Sequence, residues 1–388
     1  MSDYCIVSEF NPLHNGHAHI IKKAREMGAD TVTCVMSGNA TQRGELSIVN
    51  KYFRAEAAVR CGADLVVELP YPWCASGADY FGCAAVSVAK SFGNTLLFGS
   101  ECGDIQILSR AASVCEGEEF KKQFEERQLM GEGAASAYVS CLAQSGFEKL
   151  CSNDLLGIAY IRAIMRMGAH INPVTVTRDG AAYNSEKILN CAFQSATALR
   201  ECISRGEYNS IKEYIPDAMW QIIMREEQLG RLTQLDCIDA LILGFFRLAD
   251  IKVLEKFAEC GGGIANRICD LAHSSSSAKD FFENLRTKRY TDAKLRRAVL
   301  FSMTGVMQEH ISSLPGYTTL LAANHRGREL LAKNRKRGGI TVVTKPADAP
   351  SDCAQYKLSQ RLDSIYALAR KNRLCDADFF RMGAYIEK

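Results

Sequence analysis

The hydrophobic pattern changes period along the chain. In residues 17–27, Ile20, Ile21, Ala24 and Met27 form one stripe against Lys22, Lys23, Arg25 and Glu26, the spacing of an amphipathic helix. Short apolar or β-branched runs interrupt such stretches. They are Cys5-Ile6-Val7, Thr31-Val32-Thr33-Cys34-Val35, Leu65-Val66-Val67, Thr95-Leu96-Leu97-Phe98 and Val174-Thr175-Val176. Such runs predict strands buried on both faces. Three of them follow one theme, Met27-Gly28-Ala29-Asp30, Cys61-Gly62-Ala63-Asp64 and Met167-Gly168-Ala169-His170, which reads as a glycine-terminated helix feeding a strand. Alternation of strands and helices predicts an α/β domain with a doubly wound parallel sheet over residues 1–200.

Beyond Arg200 the strand signals fade. Residues 209–300 read as helices, with Ile222-Ile223-Met224 and Leu241-Ile242-Leu243 as core and Gly261-Gly262-Gly263 and Ser274–Ser277 as loops. A last strand-like run, Ile340-Thr341-Val342-Val343-Thr344, precedes a Pro-rich loop and an amphipathic helix around 356–371. Residues 201–388 are therefore expected to form a mainly helical region.

Charge sharpens this picture. The chain has 47 Lys and Arg against 44 Asp and Glu, a net +3. Between 286 and 337, however, twelve basic residues meet only Asp292, Glu309 and Glu329. This is the electrostatic footprint of a phosphate-bearing partner; solvated helix faces are the plainer alternative. Lys288, Arg289, Arg296, Arg297, Arg326, Arg328, Lys336 and Arg337 are the candidate phosphate contacts, and Tyr290 a candidate base-stacking ring. The 388 residues suggest two or three domains, and 47% hydrophobic with 23% charged residues excludes wholesale disorder. No two of the sixteen cysteines lie closer than nine positions, so no CxxC pair exists. Reduced, buried thiols in a cytoplasmic protein are expected. The opening Met-Ser-Asp-Tyr lacks the features of a signal peptide, and no apolar run suggests a membrane span.

The chemical signal lies in Glu9-Phe10-Asn11-Pro12-Leu13-His14-Asn15-Gly16-His17-Ala18-His19, which holds three of the seven histidines. It follows the first strand and opens the first helix. A helix start at the carboxyl end of a parallel strand favours an anion. His14 and His17, three residues apart, can both donate to phosphate oxygens and so stabilise charge when an α-phosphate is attacked. A metal site from His14, His17 and His19 is a weaker alternative, since Glu9 is the only local carboxylate and no Cys is near. Ordinary surface histidines are the bland one.

His14-Asn15-Gly16-His17 resembles the HxGH motif of the nucleotidyltransferase superfamily, whose fold is HUP-like. The likeness continues through Ser37-Gly38-Asn39-Ala40-Thr41-Gln42-Arg43-Gly44-Glu45, Asp64-Leu65-Val66-Val67-Glu68-Leu69-Pro70 and Phe98-Gly99-Ser100-Glu101. Later blocks are Ser152-Asn153-Asp154-Leu155-Leu156-Gly157, Arg178-Asp179-Gly180-Ala181-Ala182-Tyr183 and Ser195-Ala196-Thr197-Ala198-Leu199-Arg200. In order and spacing the chain is similar to the bacterial tRNA(Met) cytidine acetate ligase family, densely to residue 200 and more thinly beyond it. It departs from that family at Ala40, where an aromatic is usual, and at Tyr183-Asn184-Ser185, where Tyr-His-Asp is usual; both bear on the acyl or cytidine pocket.

The resemblance implies ATP with Mg2+, acetate and elongator tRNA(Met) as partners, and an acetyl-adenylate passed to the wobble cytidine. It implies catalytic roles for His14 and His17. ATP contacts are implied at Val7, Ser8, Glu9, Phe10, Asn11, Pro12, Leu13, Asn15, Gly16, His19, Ile20, Gly99, Asn153, Arg178, Ser195, Thr197 and Arg200. Asn39, Gln42 and Arg43 are implied as a substrate loop. Arg178 as a surface ion pair, Gly99 as a plain turn and Ser195 as a helix cap are the structural alternatives. Lys51 and Arg54 read as surface residues. A small-molecule adenylyltransferase is the alternative enzyme, and an RNA-binding protein with a degenerate nucleotide site the non-enzymatic one.

Overall fold

The computed structural model describes residues 2–178 and 194–387. Part of the Arg178–Tyr183 block and the Asn184-Ser185 departure lie outside those residues. Five parallel strands, β1 (Asp3–Ser8), β2 (Thr31–Ser37), β3 (Leu65–Leu69), β4 (Thr95–Ser100) and β5 (Asn172–Thr177), lie in the order β5-β4-β1-β2-β3. Helices α1 (Asn15–Glu26), α2 (Lys51–Arg60) and α3 (Ala78–Ala89) connect the first four strands, and the Ser152–Met167 helix leads into β5. β2 and β3 are buried at every position. Cover on both faces is why these strands read as unbroken apolar runs.

The two faces carry separate cores. On one, Ile21 and Ala24 of α1 and Ala55, Ala58 and Val59 of α2 pack with Leu199 and Ile203. On the other, Phe81, Ala85 and Val88 of α3 pack with Phe98, Ile158 and Leu362. The chain steps from β3 across to β4 on the far side of β1, so the strand order reverses between β1 and β4. The carboxyl ends of those two strands therefore frame the natural ligand crevice.

The region after residue 200 is mainly helical. A third core, with Ile242, Phe246, Ile268, Phe281, Leu295 and Ala298, lies entirely within residues 238–299 apart from Ala369. The chain then returns to the sheet. β6 (Tyr317–Ala323) runs antiparallel to β3, while β7 (Thr341–Val343) and β8 (Tyr385–Ile386) run parallel to β6. The sheet is thus mixed, mostly parallel and eight-stranded. β7 falls within the expected Ile340–Thr344 run. β6 was not anticipated, because its apolar Leu320–Ala323 stretch fits a helix as well as a strand.

Lys51 and Arg54 correct the expectation of a surface pair. Both are buried, Arg54 completely. Lys51 Nζ lies 2.9 Å from Glu68 Oε1 and 2.9 Å from Asp363 Oδ2. Burial opposes the ammonium charge, but Asp363 and Glu68 outweigh it and hold the group well above its ordinary pKa. Asn39 completes the cluster: its Nδ2 donates to Asp363 Oδ1 at 2.8 Å and its Oδ1 accepts the Lys51 N–H at 2.9 Å. Arg54 donates to the carbonyls of Val49, Gly38 and Glu9. One guanidinium thereby ties the exits of β1 and β2. The basic i, i+3 pattern on α2 resembles a solvent face only because the compensating acids stand 17 and 312 positions away.

Removing one member of a buried ion cluster strands the others, at a typical cost of about 3–5 kcal/mol. Lys51→Met is expected to lower unfolding free energy by about that amount in urea titration; a loss below about 1 kcal/mol would show the cluster to be dispensable.

Candidate active site

A cleft with about 1040 Å³ of empty space opens at the carboxyl ends of β1 and β4. Val7, Ser8, Glu9, Phe10, Asn11, His14, His17 and Ile20 line it from the β1–α1 segment. Gly99, Asn153, Arg178, Ser195, Thr197 and Arg200 line it from elsewhere, with Gln42 and Arg43 at its edge. Of the expected nucleotide contacts, Pro12, Leu13, Asn15, Gly16 and His19 do not line it, nor does Asn39 of the expected substrate loop. Leu13 is wholly buried in the core beside α1. The Asn15 side chain donates to the Glu213 carbonyl at 2.7 Å.

The histidine pair is fixed by the backbone. His14 caps α1, and its Nδ1 accepts the Gly16 N–H at 3.1 Å. His17 Nδ1 in turn accepts the His14 N–H at 3.3 Å. A nitrogen that accepts a hydrogen bond carries no proton, so each neutral ring carries its proton on Nε2. The rings lie 3.8 Å apart, tilted by 32°. Burial, with Arg178 and Arg200 nearby, pulls His14 down to about 3. Burial, then His14 and Arg178, holds His17 well below the usual histidine range. Both imidazoles are neutral N–H donors at pH 7. Phe10 steers the segment: its backbone is left-handed at φ 48°, and its buried ring meets the His17 ring edge-on at 5.1 Å. A non-glycine residue in that region costs about 1–3 kcal/mol and persists where surrounding packing over-determines it.

Positive charge comes from the far wall. Arg178 follows β5, its N–H bonded to the Ser100 carbonyl at 2.9 Å. A Cβ at Gly99 would come within 2.8 Å of Arg178 Cγ. The missing side chain therefore makes room for Arg178. Arg200 donates to the Asn11 carbonyl at 3.0 Å and to Thr197 Oγ1 at 3.3 Å. Ser195 caps the Ala196–Ser204 helix, its Oγ accepting the Ala198 N–H at 3.1 Å. Asn153 Nδ2 donates to Glu101 Oε1 at 2.5 Å. Glu9 accepts the Gln42 N–H at 2.7 Å, and burial raises its carboxyl above the usual range against the pull of Gln42, Arg200 and Arg43.

Residues 1–378 of the 388-residue chain match the model of the HIGH Nucleotidyl Transferase family. The tRNA(Met) cytidine acetate ligase of Fervidobacterium nodosum is 33% identical over 97% of this chain and 93% of its own length. The crystal structure of Thermotoga maritima TmcAL without ligand superposes with a TM-score of 0.92 at 29% identity, covering all of both chains. The same protein bound with alpha-thio ATP gives 0.89. The chain belongs to the tRNA(Met) cytidine acetate ligase family. It is an enzyme of the ligase class with a nucleotidyltransferase fold.

The family's departure at Ala40 has a local place here: Ala40 is fully buried and pairs with Leu46 in an isolated bridge. The expected phosphate contacts do not share one surface. Lys288 and Arg289 are exposed, and Arg289 and Lys294 flank the Tyr290 ring at 5.2 and 4.8 Å. Arg297 is buried on Glu259 at 3.0 Å and donates to the Gln42 carbonyl at 3.2 Å, which makes it a brace for the loop rather than an open phosphate contact. Arg326 reaches the carbonyl of Asp30. Asp30 precedes β2, so Arg326 lies at the opposite end of the sheet from the cleft. Arg328, Lys336 and Arg337 are exposed on or just after the His325–Lys336 helix.

Besides Ile6 and Ala196, the lining residues that escaped the sequence reading are Phe81, Phe98, Leu156 and Tyr160. These four form an apolar wall, with Phe98 and Tyr160 edge-on at 5.7 Å. A signal did exist, since Asn153, Leu156 and Tyr160 recur on one face of a single helix. Among the described residues, no group of three or more His, Cys, Asp or Glu is arranged to hold a metal ion, and no helix is long and apolar enough to cross a membrane.

Neutral burial of two imidazoles has a pH signature. Unfolded histidines bind protons below about 6.5, while these two in the fold do not. Their contribution is fully present above that pH and is lost as pH falls from 6.5 towards the folded values. The melting temperature of the native chain is expected to fall more steeply between pH 6.5 and 5 than that of a His14→Asn/His17→Asn variant. Parallel curves would contradict the assignment.

Proposed function

We propose that this chain activates acetate with ATP as acetyl-adenylate and transfers the acetyl group to the wobble cytidine of elongator tRNA(Met). The observation that carries the reading is the His14–His17 pair, with both Nε2–H donors fixed by backbone amides in the crevice between β1 and β4. Family membership and the alpha-thio ATP bound by a relative support it.

An acetate oxygen attacks the α-phosphorus; the new P–O bond forms as the bond to the β-phosphate oxygen breaks, and pyrophosphate leaves. Charge builds on the phosphate oxygens in that step. Pre-positioned donors there need no reorganisation, and removing one such donor typically costs about 10²–10³ in rate. His14 and His17 supply dipoles rather than net charge; Arg178 and Arg200 supply the net charge. The apolar Phe81, Phe98, Leu156 and Tyr160 wall offers a dry surface to the adenosine. In the second step the cytidine amine attacks the acetyl carbonyl; the C–N bond forms, the amine gives up a proton to solvent, and AMP leaves with the C–O bond pair. A single-stranded anticodon base needs no duplex opening to reach the cleft. Mg2+ supplies charge neutralisation on the phosphates when bound. Among the described residues Glu9 is the one carboxylate lining the cleft, which fits an ion held mainly by phosphate oxygens and water. Lys288, Arg289, Lys294 and Arg296 are the basic side chains best placed for tRNA phosphates.

Nucleosides from tRNA incubated with the protein, ATP and acetate are expected to contain N4-acetylcytidine by mass spectrometry. His17→Ala is expected to cut acetyl-adenylate formation by about 10²–10³-fold with the fold intact; full activity would sink the role. A dinucleotide product would instead support a small-molecule adenylyltransferase, and failure to bind ATP a non-catalytic RNA-binding protein. Affinity for tRNA should fall steeply with salt, and Lys288→Gln should reduce the log–log slope by about 1; an unchanged slope would remove Lys288 from the docking surface.

A further inference from the structure

The segment from Ala40 to Leu46 is clamped between the nucleotide cleft and the Asp292–Thr304 helix. An Ala40–Leu46 bridge, Thr41 N–H to the Glu45 carbonyl at 2.9 Å and Gly44 N–H to the Thr41 carbonyl at 2.9 Å close it into a tight loop. On the cleft side, Gln42 bonds Glu9 and the Arg43 guanidinium reaches Thr197 Oγ1 at 3.3 Å. On the helix side, Arg297 holds the Gln42 carbonyl. Gly44, at φ 73°, presses so close that a Cβ would meet the Arg297 nitrogen at 2.5 Å and the Arg296 carbonyl carbon at 2.7 Å. The loop therefore touches both sides at once.

At the centre of this contact one carboxylate serves two arginines. Glu45 Oε2 lies 3.3 Å from Arg200 Nη2, and Oε1 lies 3.6 Å from Arg296 Nη1. Arg200 lines the cleft. Arg296 belongs to the basic helix, half-exposed over the Phe282 ring at 5.1 Å. We propose that Glu45 is a positioning residue that couples RNA docking at Arg296 to nucleotide binding at Arg200. This rests on the ATP and tRNA reading above.

The sign follows from charge. A carboxylate shared by two cations binds each less firmly than it binds one alone. An RNA phosphate that takes Arg296 leaves Glu45 to Arg200 only. Arg200 is then more fully neutralised and holds the triphosphate less well. ATP and tRNA therefore weaken each other, by the same factor in both directions. The design favours adenylation first and RNA docking once pyrophosphate has left.

The test is calorimetric titration of ATP into the full chain without acetate, with and without saturating unmodified elongator tRNA(Met). For the native protein the dissociation constant for ATP is expected to rise about five-fold or more with tRNA present. In Glu45→Gln that ratio should collapse to within about two-fold of unity, while Glu45→Asp should restore part of it. A merely structural Glu45 would change affinities without changing the ratio. An unchanged constant in the native protein, or a full ratio kept in Glu45→Gln, would overturn the proposal. Absence of ATP binding, or of tRNA binding in a separate titration of tRNA alone, would instead contradict the functional reading; an unchanged ATP constant counts against the coupling where both bind. If Glu45→Gln does not fold, Arg296→Ala carries the same test, because it leaves Glu45 and Arg200 in place: its ratio should also fall to about unity, and a retained ratio would refute the coupling.

Discussion

Two backbone amides decide what the cleft can do. The N–H groups of His14 and Gly16 take the Nδ1 lone pairs of His17 and His14, so each neutral imidazole presents Nε2–H. These amides belong to the first turn of α1 and its cap, where N–H groups lack helical partners in any case. The sequence solves the capping problem and the donor problem with the same two side chains. Two further features hold that turn: the left-handed Phe10 bends into it, and Arg200 donates to the Asn11 carbonyl.

The turn needs a fixed platform, and buried charge provides it. Arg54 is wholly buried, yet spends its guanidinium on main-chain carbonyls at the exits of β1 and β2. Lys51 joins α2, β3 and the Ala354–Leu368 helix through Glu68 and Asp363. Charges placed this way are expensive to bury and informative for that reason, since each is satisfied only in one relative placement of the elements. The late return of the chain to the sheet, through β6 to β8, is what brings Asp363 to Lys51.

Much of this was legible in the sequence. The alternation of apolar runs with amphipathic stretches predicts the parallel sheet, and the histidine cluster after the first run predicts the place of the cleft. What was legible divides from what was not on physical lines. Val7 to Asn11, His14, His17 and Ile20 could be read because the motif is local, while Pro12, Leu13, Asn15, Gly16 and His19 of the same segment do not line the cleft. Lys51 and Arg54 could not, because their partners are distant in sequence. Arg297 reads as one more basic residue in a basic stretch, and only its contact with Glu259 and the Gln42 carbonyl makes it a brace. Asn39 looks like a neighbour of Gln42 and Arg43, but its side chain turns to Asp363. The Phe81, Phe98, Leu156 and Tyr160 wall reads as ordinary core, because an apolar cleft wall and a core share one composition.

On the function proposed above, neutral, backbone-fixed histidines and two arginines serve attack on the α-phosphate before any RNA is engaged. The most direct measurement is exchange of labelled pyrophosphate into ATP by the full chain, with acetate and without tRNA. Exchange that requires acetate and proceeds without RNA is expected. No exchange under those conditions, or exchange indifferent to acetate, would contradict it.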